Sequence, residues 1–131
     1  MVRVCLAGAS DEEIQKFKDD RKNFNLYTEG EYDRSGIYTL KKLRKHIDFK
    51  TKIIPIIKNE LEGVRQCDFL VAIIKNYKVR EDIMTKIVYC YMSGKPVYLI
   101  YEGKLEDLHD WVLNFSRGIY KSVDSLLEDI K

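Results

Sequence analysis

Residues 69–74 read Phe-Leu-Val-Ala-Ile-Ile, and this apolar run decides the fold. Its continuous apolarity indicates a strand that is buried on both faces, as in the centre of a parallel sheet. Weaker strand patterns lie on both sides of it in the sequence. They are found at residues 2–7, 25–28, 97–101 and around Ile119.

Helical patterns alternate with these strands, at residues 11–22, 39–65, 81–93 and 123–130. Ser10 and Glu13 form a capping box before the first helix, and Pro55 predicts two helices or one kinked helix in the second. Gly94 is expected to end the third helix. Strands separated by helices predict an α/β three-layer sandwich, with a mostly parallel sheet of about five strands.

The spacing of apolar residues also predicts which side chains the helices bury. The expected set is Ile14 and Phe17 in the first helix, Ile53, Ile54, Ile56, Ile57, Leu61 and Val64 in the second, and Ile83, Ile87, Cys90 and Tyr91 in the third.

Composition sets the class of protein. The chain has 131 residues, 45% of them hydrophobic, and a formal net charge of +2, which fits one globular domain over residues 1–131. No apolar run reaches the roughly 20 residues that a membrane span needs, and a first strand at Val2 leaves no room for a signal peptide. Three widely spaced cysteines argue against a disulfide framework and a zinc site. A reduced, cytoplasmic protein without a cofactor or membrane partner is expected.

In parallel α/β sheets, ligands bind beyond the carboxyl ends of the strands. This rule predicts a pocket formed by residues 8–10, 75–77 and 101–102. Gly8, Ala9 and Ser10 join a strand end to a capped helix start, where backbone N–H groups can bind an anion. The same three residues equally fit a tight turn with no ligand.

Residues 39–58 are strongly basic, with seven lysines and arginines against Asp48 alone. Such a face can bind nucleic acid through its phosphates, although a lysine-rich helix is more often a solvated surface. Nucleic acid is therefore the less favoured partner. His46 and His109 share no metal-ligand spacing and are expected to be exposed.

Several motifs, taken in order, resemble the nucleoside 2-deoxyribosyltransferase family and its nucleotide N-glycosidase relatives. Residues 4–8 are similar to the family's opening I-Y-L-A-G, and residues 59–64 to its N-D-L-x-x-I motif. Residues 86–97 resemble the segment E-I-G-Y-A-x-x-x-G-K-P-V. The resemblance implies a Rossmann-like or flavodoxin-like fold, a nucleoside or nucleotide ligand, and a homo-oligomer.

The family's chemistry uses a glutamate nucleophile and a second acid, and the resemblance maps those roles onto this chain. Lys86 stands at the nucleophile position, Arg80 at that of an aspartate, and Cys5 at that of a tyrosine. Glu60 and Asn114 keep the expected residue type and are the candidate catalytic residues. Glu81 or Asp82 would be substitute acids if the alignment shifts by about one turn.

Three hypotheses follow. The protein binds a nucleoside or nucleotide and acts as a transferase or hydrolase at the N-glycosidic bond. Alternatively, it is a catalytically silent binder of a phosphorylated ligand, with a cationic pocket of Lys75, Arg80 and Lys86. Lys86 would otherwise pair with Asp82 on the helix surface. The third hypothesis is a nucleic-acid-binding accessory protein. The expected ligand-binding residues are Gly8, Ala9, Ser10, Asn76, Tyr77, Arg80 and Lys86.

Overall fold

The computed structural model of the chain describes residues 2–20, 24–27 and 49–130. Within them the strands are β1 (Val2–Ala7), β2 (Phe24–Tyr27), β3 (Phe69–Ile73), β4 (Val97–Ile100) and β5 (Gly118–Tyr120). The helices are α1 (Asp11–Asp19), α2 (Phe49–Gln66), α3 (Glu81–Met92), α4 (Asp110–Phe115) and α5 (Val123–Asp129), with a 3₁₀ helix at Leu105–Asp107.

The sheet is parallel throughout, and its strand order is β2-β1-β3-β4-β5. The apolar run at residues 69–74 supplies the central strand, β3, which confirms the predicted sheet. From β1 the chain moves outward to β2 and then returns past β1 to β3. The order therefore reverses between β1 and β3, and a crevice forms there beyond the strand ends.

Helices cover both faces of the sheet, so the predicted three-layer sandwich is confirmed. Val4 and Leu6 of β1 pack with α1 and α5 on one face. Cys5 and Ala7 face the opposite way, in a core formed with α2, α3 and α4. This alternation follows from the two-residue period of side chains along a strand.

Of the two alternatives predicted for the second helix, the two-helix one is wrong, and the predicted buried face is wrong in part. α2 runs through Pro55 as one helix, because proline removes one backbone hydrogen bond without unfolding the turns on either side. Ile57 and Leu61 are exposed, so the expected buried face is wrong at both positions. The inward face instead contains Glu60 and Val64, which are four residues apart. Compared with the prediction, α2 is rotated about its axis so that Glu60 faces α3.

The remaining elements agree closely with the sequence. The capping box of Ser10 and Glu13 is present, and Gly94 adopts φ +74° where α3 ends. Phe17 is fully buried as expected, whereas Tyr91 is exposed and was wrongly predicted to be buried. The helices between residues 105 and 115 were not predicted.

Some of the predictions fall on residues 28–48, which lie outside the described residues. They include most of the basic segment, with His46, and the first part of the second predicted helix. The side chains of Ile53, Ile54 and Ile56, which were expected to be buried, also lie outside the description. Among residues 2–20, 24–27 and 49–130, no helix combines the length and the apolarity that a membrane crossing requires.

Candidate functional site

The turn after β1 requires glycine. Gly8 has φ +77°, and a Cβ atom added there would lie 2.5 Å from the backbone oxygen of Ile73. Residues other than glycine rarely adopt this conformation, and the close contact with β3 leaves no space for a Cβ atom. Gly8 therefore lets the turn after β1 lie directly against the end of β3.

Glu13 connects the start of α1 to the end of β3. One of its carboxylate oxygens, Oε1, accepts the backbone N–H of Ser10 at 2.9 Å and the ammonium of Lys75 at 2.7 Å. Burial alone would raise the pKa of Glu13, but the hydrogen bonds from Lys75 and Ser10 outweigh it and hold that pKa below its usual value. The positive end of α1 and the charge of Lys75 are thus already compensated by a carboxylate.

A cavity of about 340 Å³ lies at the crevice between β1 and β3, and we call it the strand-edge cavity. Its position agrees with the one predicted for residues 8–10, 75 and 76, whereas Tyr101 and Glu102 line a separate cavity beside Glu13. Five of the predicted ligand-binding residues line it, namely Gly8, Ala9, Ser10, Asn76 and Arg80. Tyr77 and Lys86 do not line this cavity.

Arg80 and Asp82 pair with each other at the rim of the strand-edge cavity. The guanidinium donates from Nε to Oδ1 at 3.2 Å and from Nη2 to Oδ2 at 3.1 Å, a two-point contact. A predicted anion-binding cation and a predicted substitute acid are therefore joined. Glu81, the other substitute acid, is exposed on the first turn of α3.

Lys86 pairs with Glu60 across the interface of α2 and α3. Nζ of Lys86 lies 3.7 Å from Oε2 of Glu60, and the two side chains are only 5% and 12% exposed. The alternative in which Lys86 pairs with Asp82 on the helix surface is wrong. The other carboxylate oxygen of Glu60, Oε1, is buried and has no hydrogen-bond partner in the part of the chain that the structure describes.

Asn114 lies on the exposed side of α4, away from the strand-edge cavity. Its amide donates to the carbonyl of Asp110, one turn earlier in the helix, at 2.8 Å. The structure does not bring Asn114 together with Glu60. Its predicted catalytic role therefore has no support within this single chain.

The three cysteines meet in the core beneath the sheet face that α2 and α3 cover. All are free and buried, and Cys67 donates to the carbonyl of Val64 at 3.1 Å. The hydrogen bond with Cys67, together with burial, raises the pKa of Cys5 and of Cys90. Cys5 and Cys90 therefore stay protonated and inert. No cluster of His, Cys, Asp and Glu within the described ranges is arranged to hold a metal ion.

A second cavity, of about 630 Å³, lies beside α3 and α4. We call it the aromatic cavity. Its lining consists of Tyr77, Lys78, Val79, Met84, Asp107, Leu108, His109, Trp111 and Val112. Sequence reasoning missed it because residues 105–115 lack a strong apolar period. The pattern that could have predicted a helix here is the helical spacing of Leu108, Val112 and Phe115.

His109 has a structural role that its exposure did not suggest. It is exposed, as predicted, but its ring nitrogen Nδ1 accepts the backbone N–H of Trp111 at 3.1 Å and caps α4. A neutral imidazole whose Nδ1 accepts a hydrogen bond carries its proton on Nε2.

Solved structures share this architecture over almost the whole chain. A 2-deoxyribosyltransferase from Bacillus psychrosaccharolyticus matches 96% of this chain and 90% of its own, with a TM-score of 0.63 and 15% identity. The chain has the fold of a 2-deoxyribosyltransferase. A protein from Enterococcus faecalis V583, described as a conserved protein, matches 99% of this chain and 97% of its own, with a TM-score of 0.63 and 16% identity.

The 2-deoxyribosyltransferase fold agrees with the resemblance seen in the sequence motifs. No protein-family model matches the sequence, and no curated protein matches it either. At 15% and 16% identity the likeness concerns the fold, and activity must be judged from the site.

Proposed function

We propose that this protein binds a nucleoside at the strand-edge cavity and does not use the carboxylate chemistry of deoxyribosyltransferases. The cavity lies at the crevice where parallel α/β sheets bind ligands. Its lining combines the backbone of the Gly8 turn with the amide side chain of Asn76, which suits the hydroxyl groups of a sugar.

The pairing of Lys86 with Glu60 carries this proposal. An ammonium cannot act as a carboxylate nucleophile, and here it stands at the position that the family resemblance assigns to one. The same ammonium lies 3.7 Å from Glu60, the acid that the resemblance retains. Neither side chain lines the strand-edge cavity. The nucleophile position and the retained acid are therefore both enclosed between α2 and α3, away from the cavity.

The charges favour an uncharged ligand over a phosphorylated one. Lys75 pairs with Glu13, Arg80 with Asp82, and Lys86 with Glu60. A phosphate at this site would have to draw Lys75 and Arg80 away from their carboxylates, which leaves Lys78 as the one lining cation that no carboxylate pairs among the described residues. We therefore expect a nucleoside and its monophosphate to bind with similar affinity, which calorimetric titration of both ligands measures. Much tighter binding of the monophosphate would restore the cationic-pocket hypothesis.

Cleavage of the N-glycosidic bond is the second candidate function, and one observation favours it. Oε1 of Glu60 is buried without a hydrogen-bond partner among the described residues. An unsatisfied buried oxygen is costly and is often retained for chemistry. If a ligand reached this oxygen, Glu60 would be the attacking or proton-transferring group.

One assay separates the two candidates. The parent protein, Glu60→Gln and Glu62→Gln are incubated with a panel of nucleosides and nucleoside monophosphates, and free base is measured by chromatography. Glu62 is the matched control because it lies on the same helix but is exposed. Calorimetry on the same samples measures binding.

The binding proposal predicts heat of binding and no free base from any of the three proteins. Base release that Glu60→Gln abolishes while its circular dichroism stays that of the parent, and that Glu62→Gln retains, would establish cleavage instead. If the parent binds no nucleoside in the panel, the proposed function is wrong.

A further inference from the structure

The aromatic cavity adjoins the strand-edge cavity. Lys78 and Val79 line both, so the segment that follows β3 forms a shared wall between them. Each cavity has a volume in the range of small-molecule sites. A ligand composed of two covalently linked parts can therefore extend over this shared segment and occupy both cavities.

The aromatic cavity is built from an apolar floor and two exposed rings. Leu108 and Val112 are buried at 4% and 1% exposure, whereas Tyr77 is 54% and Trp111 is 60% exposed. Large aromatic side chains gain most from being covered, so two exposed rings lining one concave site indicate an aromatic ligand.

Two neighbouring rings pack against Trp111 and restrict its motion. The His109 ring meets the indole edge-on, with a centroid distance of 6.0 Å and an interplanar angle of 90°. Phe115 lies on α4 with its centroid 6.1 Å from that of Trp111. A ring held in this way loses little conformational entropy when a planar group stacks on it.

The lining also supplies polar groups of both kinds. Asp107 offers a carboxylate acceptor, and Lys78 offers an ammonium donor. His109 adds a second donor, because its Nδ1 is occupied by the Trp111 backbone and its proton is on Nε2. Acceptors and donors around a stacking surface match a nucleobase, whose edges carry amino, ring N–H and carbonyl groups.

We propose that the aromatic cavity holds the base of the nucleoside, stacked on Trp111, while its sugar lies in the strand-edge cavity. This assignment rests on the proposed function, but it can be tested separately. Trp111 is the only tryptophan in the chain, so emission excited selectively from tryptophan, and not from the nine tyrosines, reports on this cavity.

The experiment titrates the full chain with adenosine, thymidine, free adenine and 2-deoxyribose while tryptophan emission is recorded. Adenosine, thymidine and adenine should change the emission with saturation, and 2-deoxyribose should not. Calorimetry should show that Trp111→Leu binds the nucleosides about tenfold more weakly or worse, since base–aromatic stacking has that weight. Trp111→Phe should recover part of the loss.

Tyr89→Leu is the matched control, because Tyr89 is an exposed ring on α3 that lines neither cavity. It should bind the nucleosides as the parent does. If Tyr89→Leu weakens binding as much as Trp111→Leu, stacking in the aromatic cavity is not the cause.

The possible failures are distinguishable. If the nucleosides bind by calorimetry but Trp111→Leu binds them as tightly as the parent, the base assignment is wrong and the proposed function survives. If adenine saturates the emission change and no nucleoside binds, the aromatic site stands and the proposed function fails. Emission that changes on protein dilution and not with any ligand would show that a second copy covers Trp111, which overturns the assignment.

Discussion

Two regions of the molecule contain pairs of a cation and a carboxylate. One pair is enclosed between α2 and α3, and the others are at the solvent-exposed rim of the strand-edge cavity. Lys86 and Glu60 are enclosed by the two helices, at 5% and 12% exposure. At the rim, Lys75 is 62% exposed and pairs with Glu13 at 2.7 Å. Removing one partner of the enclosed pair leaves a charge in the interior, whereas water replaces a lost partner at the rim.

This difference indicates separate roles for the two regions. Separating the enclosed pair would leave an uncompensated charge in the interior, so the pair is unsuited to exchanging partners with a ligand. The rim pairs cost little to separate and can rearrange when a ligand enters. Binding is therefore expected at the rim, and stability is expected to depend on the interior.

The largest effect is expected for Lys86→Met. The substitution leaves Glu60 enclosed without its cation, which should lower the free energy of unfolding by about 3–5 kcal/mol. Urea unfolding followed by circular dichroism measures the change. The double variant Lys86→Met with Glu60→Leu should regain most of the stability, because no charge then remains between the helices.

Arg65→Met provides the control for that series, since Arg65 pairs with Glu62 on the exposed surface of the same helix. Its unfolding midpoint should not move. Equal midpoints for Lys86→Met and Arg65→Met would mean that burial does not distinguish the two pairs.

A second prediction concerns the turn that forms the rim. Gly8 and Gly94 both have positive φ, but only Gly8 meets a neighbour, since a Cβ atom on Gly94 would have nothing within 4 Å. Gly94→Ala should cost about 1–2 kcal/mol for its backbone conformation alone. Gly8→Ala adds a steric clash and should cost about 2–4 kcal/mol. Thermal unfolding of both variants tests the order, and a reversed order would contradict the described contact with Ile73.

The smallest effect is expected for Glu13→Gln, which keeps the cap of α1 and removes only the charge that faces Lys75. Its cost at neutral pH should be below about 1 kcal/mol, because Lys75 is largely exposed. The pKa of Glu13 in the folded protein is lower than its usual value. The bridge therefore stabilises fully above the ordinary carboxyl pKa and weakens as the pH falls below it.

The free energies of unfolding of the parent and of Glu13→Gln should therefore become more alike as the pH is lowered from about 7 to about 3. A stability difference that grows on acidification would contradict this prediction.

Glu13→Gln should also change nucleoside binding. Calorimetric titration at neutral pH should show a larger change for Glu13→Gln than for Glu62→Gln, because Glu62 lies away from the rim.

The sheet and its central strand could be predicted because they depend on local apolar pattern. Residues 69–74 are apolar without interruption, and only the middle of a sheet can bury both faces of such a strand. The capping box of Ser10 and the stop at Gly94 were equally predictable, since each depends on a few adjacent residues. The positions of Gly8 and Asn76 at one edge followed from the parallel topology, whereas Arg80 was expected there from the family resemblance.

The partners of the charged side chains could not be predicted in the same way. Lys86 pairs with Glu60, which is 26 positions away in the sequence, whereas local spacing pointed to Asp82. The choice depended on the rotation of α2, whose inward face was misjudged because Ile57 and Leu61 are apolar yet exposed. The aromatic cavity was missed for a related reason, since Tyr77 and Trp111 are brought together only by tertiary packing.

Nuclear magnetic resonance of the labelled parent protein, titrated with a nucleoside over hours, tests the central claim most directly. Amide signals of Gly8, Ser10 and Asn76 should shift with saturation, while those of Glu60 and Lys86 stay in place and the anomeric proton signal of the nucleoside persists undiminished. Shifts absent from the strand edge, or a growing signal of free base, would contradict the account of a nucleoside-binding protein that has lost carboxylate catalysis.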